Sequence, residues 1–143
     1  MVSYSFQKRF VNPILAGTKR QTIRKPRIAP SSRHAREGDE LQLYTGLRTK
    51  YCKLIGRATC IAVVPIRLEV RIGRVTYIQT GVTFTTEHEL LDRFAQADGF
   101  TDWREMQTYW HKLHPGVDLF EGVLVRWHEI KIGPDFADRR PPW

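Results

Sequence analysis

The chain has 143 residues, 41% of them hydrophobic and 27% charged, with only two cysteines. This composition excludes a disordered chain and a disulfide-stapled mini-protein, and the length gives one domain a core of its own. The net charge of +8 is unevenly placed: residues 1–57 carry 13 Lys or Arg against three acids, and residues 58–143 carry 10 against 12. A basic field of this kind draws in polyanions, nucleic acid foremost, although excess charge also serves plain solubility. No apolar run approaches the roughly 18 residues of a membrane span, and no secretory leader pattern opens the sequence. Cys52 and Cys60 make no CxxC pair, so a reduced, cytoplasmic setting without membrane contact is expected.

In chain order, Ser3–Phe10 alternates as a first strand, followed by a short helix over Asn12–Gly17. Asn12 is expected to cap that helix, Pro13 to take its first position, and Gly17 to close it in the left-handed conformation. Thr22–Lys25 reads as a second strand, stopped by Pro26, and residues 26–38 as a basic loop without periodicity. Leu41–Tyr44 follows the Gly38-Asp39 turn as a compact strand. Lys53–Ile78 is rich in β-branched residues and punctuated by Gly56, Pro65 and Gly73, which predicts two or three antiparallel strands. Thr86-Glu87-His88-Glu89 reads as a capping box, opening a helix with Leu90, Leu91 and Phe94 on one face. Asp98-Gly99 ends it, and a second helix from Thr101 or Asp102 carries Trp103, Met106, Trp110 and Leu113 toward the core. Phe120–Ile132 closes the fold as one long strand, leaving Pro134–Trp143 as a loose tail. The expected class is α+β: a small antiparallel barrel with two or three short helices packed on its side. One domain spans 1–132, with 133–143 as a C-terminal tail.

Function is written most densely in Gly17-Thr18-Lys19-Arg20-Gln21-Thr22-Ile23-Arg24. Lys19, Arg20, Thr22 and Arg24 set cations and a hydroxyl just after a sharp turn, where they can converge on an anionic or polar ligand. The plainer alternative is a basic surface hairpin. Tyr44, Arg48, Lys50 and Lys53 form a second basic and aromatic group, suited to stacking a base and tracking phosphates, or simply to facing water. His111 and His114 stand at helical spacing, but no third ligand has a recognisable spacing, so no metal and no cofactor are expected.

Taken together, the order of these segments resembles the ASCH domain, a member of the PUA-like barrel superfamily. The resemblance rests on Phe6 to Phe10 leading into Ile14-Leu15-Ala16-Gly17, then Lys19 and Thr22-Ile23-Arg24. It continues in Gly38-Asp39, in Phe94-Ala95-Gln96-Ala97-Asp98-Gly99-Phe100, and in the closing strand with Phe120 and Trp127. It implies a PUA-like barrel that binds RNA in a cleft near the basic turn. Small members of the family remove acyl groups from the exocyclic amine of cytidine with a lysine, a threonine and a glutamate. The lysine falls on Lys19, the threonine on Thr22 and the glutamate on Asp98, where this chain is one methylene shorter. The resemblance therefore implies a metal-independent amidohydrolase with Lys19, Thr22 and Asp98 as catalytic residues. Its substrate-binding residues are then Arg24, Arg20, Phe6, Tyr44 and Lys50, and its partner an N-acylated cytidine nucleoside or RNA. In that chemistry Lys19, with a lowered pKa, acts as base toward the Thr22 hydroxyl, and Asp98 protonates the leaving amine or orients Lys19. Arg24 holds the acyl oxygen or a phosphate. A helix cap is the alternative role for Asp98. A non-catalytic RNA-binding module and a metal-free ribonuclease, with Tyr44 and Lys50 as its chemistry, are the alternative functions.

Overall fold

The architecture is an eight-stranded mixed sheet, curled around one core, with helices against one side. It was obtained as a computed structural model that describes residues 1–27, 33–79 and 81–139. Residues 28–32 of the expected basic loop and 140–143 of the expected tail lie outside the described residues.

Strand β1 (Val2–Phe6) leads through a 3-10 turn (Lys8–Phe10) into helix α1 (Val11–Ala16). The helix starts earlier than its polar residues suggest, because Val11 and Ile14 are drawn into the core; Phe10, not Asn12, occupies the cap position. Gly17 ends it at φ 81°, with its N–H on the Ile14 carbonyl. Strand β2 (Gln21–Arg24) pairs antiparallel with β7 (Leu119–Trp127), and β3 (Glu40–Thr45) pairs parallel with β1. The parallel pair corrects the all-antiparallel expectation. Parallel neighbours need a long crossover, and α1 with β2 supplies it.

Strand β4 (Lys53–Glu69) is a single 17-residue element, running through both Gly56 and Pro65. At Gly56 the chain passes the Lys131 carbonyl so closely that a Cβ would lie 2.6 Å from it. Pro65 sits just before the ladder to β5 (Arg74–Gln79), which begins at Ile66, a position that does not call on a proline for a bond to β5. A bulge between Cys60 and Ala62 bends β4, so its first half pairs with β3 and its second half with β7. Strand β6 (Gly81–Thr85) pairs with β5. The long closing strand is broken: β7 ends at Trp127, and β8 (Lys131–Ile132) pairs separately with Gly56 and Arg57. The expected loose tail is packed from its first turn, since Phe136 is buried and Asp135 accepts the Leu54 N–H at 3.0 Å.

Helix α2 (His88–Ala97) starts at a Glu87 cap position without a side-chain cap, because Glu89 reaches forward to Arg93 at 2.7 Å. It buries Leu91, Phe94 and Ala95, while Leu90 falls off that stripe and is exposed. Helix α3 (Trp103–Leu113) is capped by Asp102, which accepts the Glu105 N–H at 2.8 Å. It buries Trp103, Met106 and Trp110 but leaves Leu113 exposed.

No ladder joins β1 to β2; the α+β class stands, and the barrel stays open at this seam among the described residues. Across it, Arg24 Nη2 donates to the Ser5 carbonyl at 2.6 Å, and the guanidinium stacks on Tyr4 and Phe6. Gly122 of β7 lets the end of β2 pass close by, since a Cβ there would strike the Arg24 carbonyl and the Phe120 ring. Gly122→Ala is expected to cost about 1–3 kcal/mol through overpacking, measured by urea unfolding, and to shift Arg24.

Candidate active site

The open seam forms one wall of a cleft of about 330 Å³, within the size range of small-molecule sites. The end of β1 contributes Phe6, β2 contributes Thr22 and Arg24, the turn after α1 contributes Lys19, and the end of α2 contributes Asp98. Tyr109, Trp110 and His114 close the opposite wall.

Lys19 is only 3% exposed. Its Nζ donates to the Asp98 backbone carbonyl at 2.6 Å and lies 4.0 Å from Asp98 Oδ1. The Phe10 ring is 4.6 Å and the Phe6 ring 5.5 Å from the ammonium, measured to the centroids. Burial lowers its pKa to about 8, against the raising pull of Asp98 and with the push of Arg24 and Arg9. Asp98 is the mirror case. Burial raises its pKa to about 6, opposed by Lys19, by the Gln21 amide and by Arg24.

At position 98 the backbone comes closer to Lys19 than the carboxylate does. Gly99, at φ 101°, carries no Cβ, and one placed there would lie 3.0 Å from both the Lys19 stem and the Phe10 ring. The Asp98-Gly99 turn thus comes up against Lys19 until carbonyl and ammonium bond directly. Asp98 does cap α2, but through its backbone N–H; its side chain turns to Gln21 and Lys19. Thr22 is buried, and its Oγ1 accepts from Arg24 Nε at 3.0 Å. That bond leaves the hydroxyl proton free to be given away.

The remaining expected site residues lie elsewhere. Arg20 sits between Lys19 and Gln21, yet its backbone is bonded to Ala97 and Trp127 and its side chain lines a different groove. That groove, about 450 Å³, also holds Arg93, Arg126, His128 and Tyr77, and no carboxylate lines it. Tyr44 donates to Gln42 at 3.3 Å, Lys50 lies over Tyr51, and neither lines the cleft. Among the described residues no cluster of His, Cys, Asp or Glu has the arrangement of a metal site.

Sequence reasoning missed Gln21, Tyr109 and His114, and took Trp110 for core alone. Gln21 carried a usable signal: a polar residue in a strand that must be buried beside Thr22. Tyr109 and His114 carried none, because their place depends on how α3 docks.

Three solved chains are similar to this one, all ASCH of Zymomonas mobilis. The ASCH crystal structure aligns with TM-score 0.49 and 15% identity, over 99% of this chain and 81% of that one. A serine-to-alanine variant of it aligns with TM-score 0.46 and 18% identity, over 90% and 68%. A tyrosine-to-phenylalanine variant aligns with TM-score 0.47 and 15% identity, over 99% and 84%. No family model matches the chain, and no curated protein does.

Proposed function

We propose that the chain is an ASCH-type amidohydrolase that removes the acyl group from the exocyclic amine of an N-acylated cytidine or a related nucleobase. The observation that carries this reading is the direct bond from buried Lys19 to the Asp98-Gly99 turn, which sets a lysine of lowered pKa and a carboxyl of raised pKa in the cleft that Thr22 lines. Burial brings the two pKa values toward the neutral range, where one group can take a proton and the other give one. The Thr22 hydroxyl attacks the acyl carbon and passes its proton to neutral Lys19. The carbon–nitrogen bond then breaks, and the departing amine takes a proton from Asp98. Lys19 next returns its proton to Asp98, and water hydrolyses the acyl-threonine ester, its hydroxyl going to the acyl carbon and its proton to the Thr22 oxygen. Arg24, bonded to Thr22, holds positive charge beside the oxyanion that forms.

Incubating the protein with N-acetylcytidine, free and within a short RNA, and weighing the products by mass spectrometry tests the reading. Loss of the acetyl group supports it; an acetyl group left intact on both substrates overturns it.

The groove around Arg20, Arg93, Arg126 and Tyr77 favours a second reading, an RNA-binding module. On that reading, affinity for a short single-stranded RNA falls with salt at a log-log slope of about −2 for three phosphate contacts. Arg126→Glu is then expected to weaken binding at least tenfold in a fluorescence anisotropy titration, and unchanged binding would remove the groove from consideration.

A further inference from the structure

Gln21 is 2% exposed, and its amide is spent on the end of α2. Nε2 donates to Asp98 Oδ1 at 3.3 Å and to the Phe94 carbonyl at 3.4 Å. Oδ1 is also the oxygen that faces Lys19 Nζ. No hydrogen bond reaches Oδ2 among the described residues, yet Oδ2 is not sealed in. The single enclosed side-chain nitrogen or oxygen without a partner among them is Trp103 Nε1. Asp98 itself lines the cleft.

We propose that Gln21 is a positioning residue that pins Oδ1 and turns Oδ2 to the cleft as the atom that hands a proton to the leaving amine. The proposal rests on the deacylation reading. A carboxylic proton avoids an oxygen that already accepts from an N–H, so it resides on Oδ2. When the amine takes it, the carboxylate left behind keeps the Gln21 amide and the Lys19 charge against Oδ1. Lys19 before β2 and Arg24 on β2 also act on Asp98, Asp98 acts on Tyr109 of α3, and Arg9 acts on Lys19 and Tyr109. None of these side chains donates a hydrogen bond to the carboxylate, so among the described residues the amide alone does so.

Gln21→Leu removes the donor at nearly constant size, and Gln21→Glu returns one only while protonated. In the ligand-free protein, the Asp98 carboxyl followed by carbon-13 NMR is expected to titrate about one pH unit higher in Gln21→Leu, since a bond to the charged form is lost. With N-acetylcytidine, kcat is expected to fall about tenfold or more, within the usual range for proton-transfer groups. KM should stay within a factor of about three, because only the departing proton is misplaced. The acid limb of the pH profile should move with the Asp98 titration. Gln21→Glu should recover activity in acid and lose it as its own carboxyl ionises.

An unmoved Asp98 titration overturns the proposal, as does a lower Tm with both pH readouts unchanged, which would make Gln21 a packing residue only. Should Gln21→Leu not fold, Gln21→Met carries the same test. A native protein that leaves N-acetylcytidine intact removes the proton-transfer role along with the deacylation reading. The NMR titration then decides the pinning of Oδ1 by itself.

Discussion

Lys19→Met should abolish deacylation of N-acetylcytidine and leave a protein that melts no lower than the native one at pH 7. The loss in kcat/KM is expected to reach about a thousandfold, the combined reach of a general base and of the hydroxyl it activates. Stability is expected to move the other way because of what burial does to the native lysine. Burial lowers the lysine's pKa to about 8, although the Phe6 and Phe10 rings beside it favour the charged form. That displacement corresponds to on the order of 3 kcal/mol against the charged form. Methionine fills the same channel without that cost. Asp98 then loses its nearest cation, moves further toward its neutral form and keeps the Gln21 amide. Steady-state kinetics and a melting curve on the same preparation decide the matter. Activity above a tenth of native would remove Lys19 from the chemistry, whereas a large fall in Tm would make it a structural residue first.

The second large effect is on pH. The proposed chemistry needs Lys19 neutral and Asp98 protonated at once. Below about 6 both groups hold a proton, and above about 8 neither does. Between these values the pair holds one proton, and the fraction with the proton on Asp98 is constant. The pair titrates as a unit, so kcat/KM should form a bell with a flat top between its two apparent values. If Asp98 only orients Lys19, the rate instead climbs through pH 8 and stays up. Asp98→Asn separates the two, since it removes the alkaline fall only in the first case.

Stability should trace the inverse curve. Asp98, with its folded pKa raised, favours the fold below the ordinary carboxylate range and loses that contribution as pH rises through about 6. Lys19, with its folded pKa depressed, favours the fold above the ordinary lysine range and loses that contribution as pH falls through about 8. Both contributions are absent from pH 6 to 8. Each is worth on the order of 3 kcal/mol, so from this pair the fold is least stable where the proposed deacylation would be fastest. A series of melting curves across pH, native beside the double variant Lys19→Met/Asp98→Asn, measures it as a trough that the variant lacks.

How much of this was legible in the sequence depends on the range of the contact involved. The Gly17 turn and the helix end at Asp98-Gly99 are local, and both stand where glycine chemistry puts them. Lys19, Thr22 and Asp98 were grouped by resemblance, and they line one cleft. Arg20 was grouped with them by adjacency alone. The backbone bonds to Ala97 and Trp127 fix the chain there, and the Arg20 side chain lines the other groove. Tyr44 and Lys50 lie away from that cleft for a related reason, since sharing charge and aromatic character does not bring two elements together. The parallel pairing of β1 with β3 and the continuity of β4 through Pro65 depend on which strands become neighbours. Nothing within a few residues of either position records that.

Arg24 has a consequence for how any mutagenesis here is interpreted. One guanidinium bridges two strands that share no ladder, stacks on two rings of the core and donates to the Thr22 hydroxyl. It works as a clasp on the mouth of the cleft. Truncating it would unfasten the strands, loosen the rings and release the hydroxyl together. The inactivity of such a variant would therefore measure a lost clasp as much as a lost charge, whereas Arg24→Lys, which keeps the charge but not the two-pronged reach to Ser5 and Thr22, reports what the clasp alone is worth.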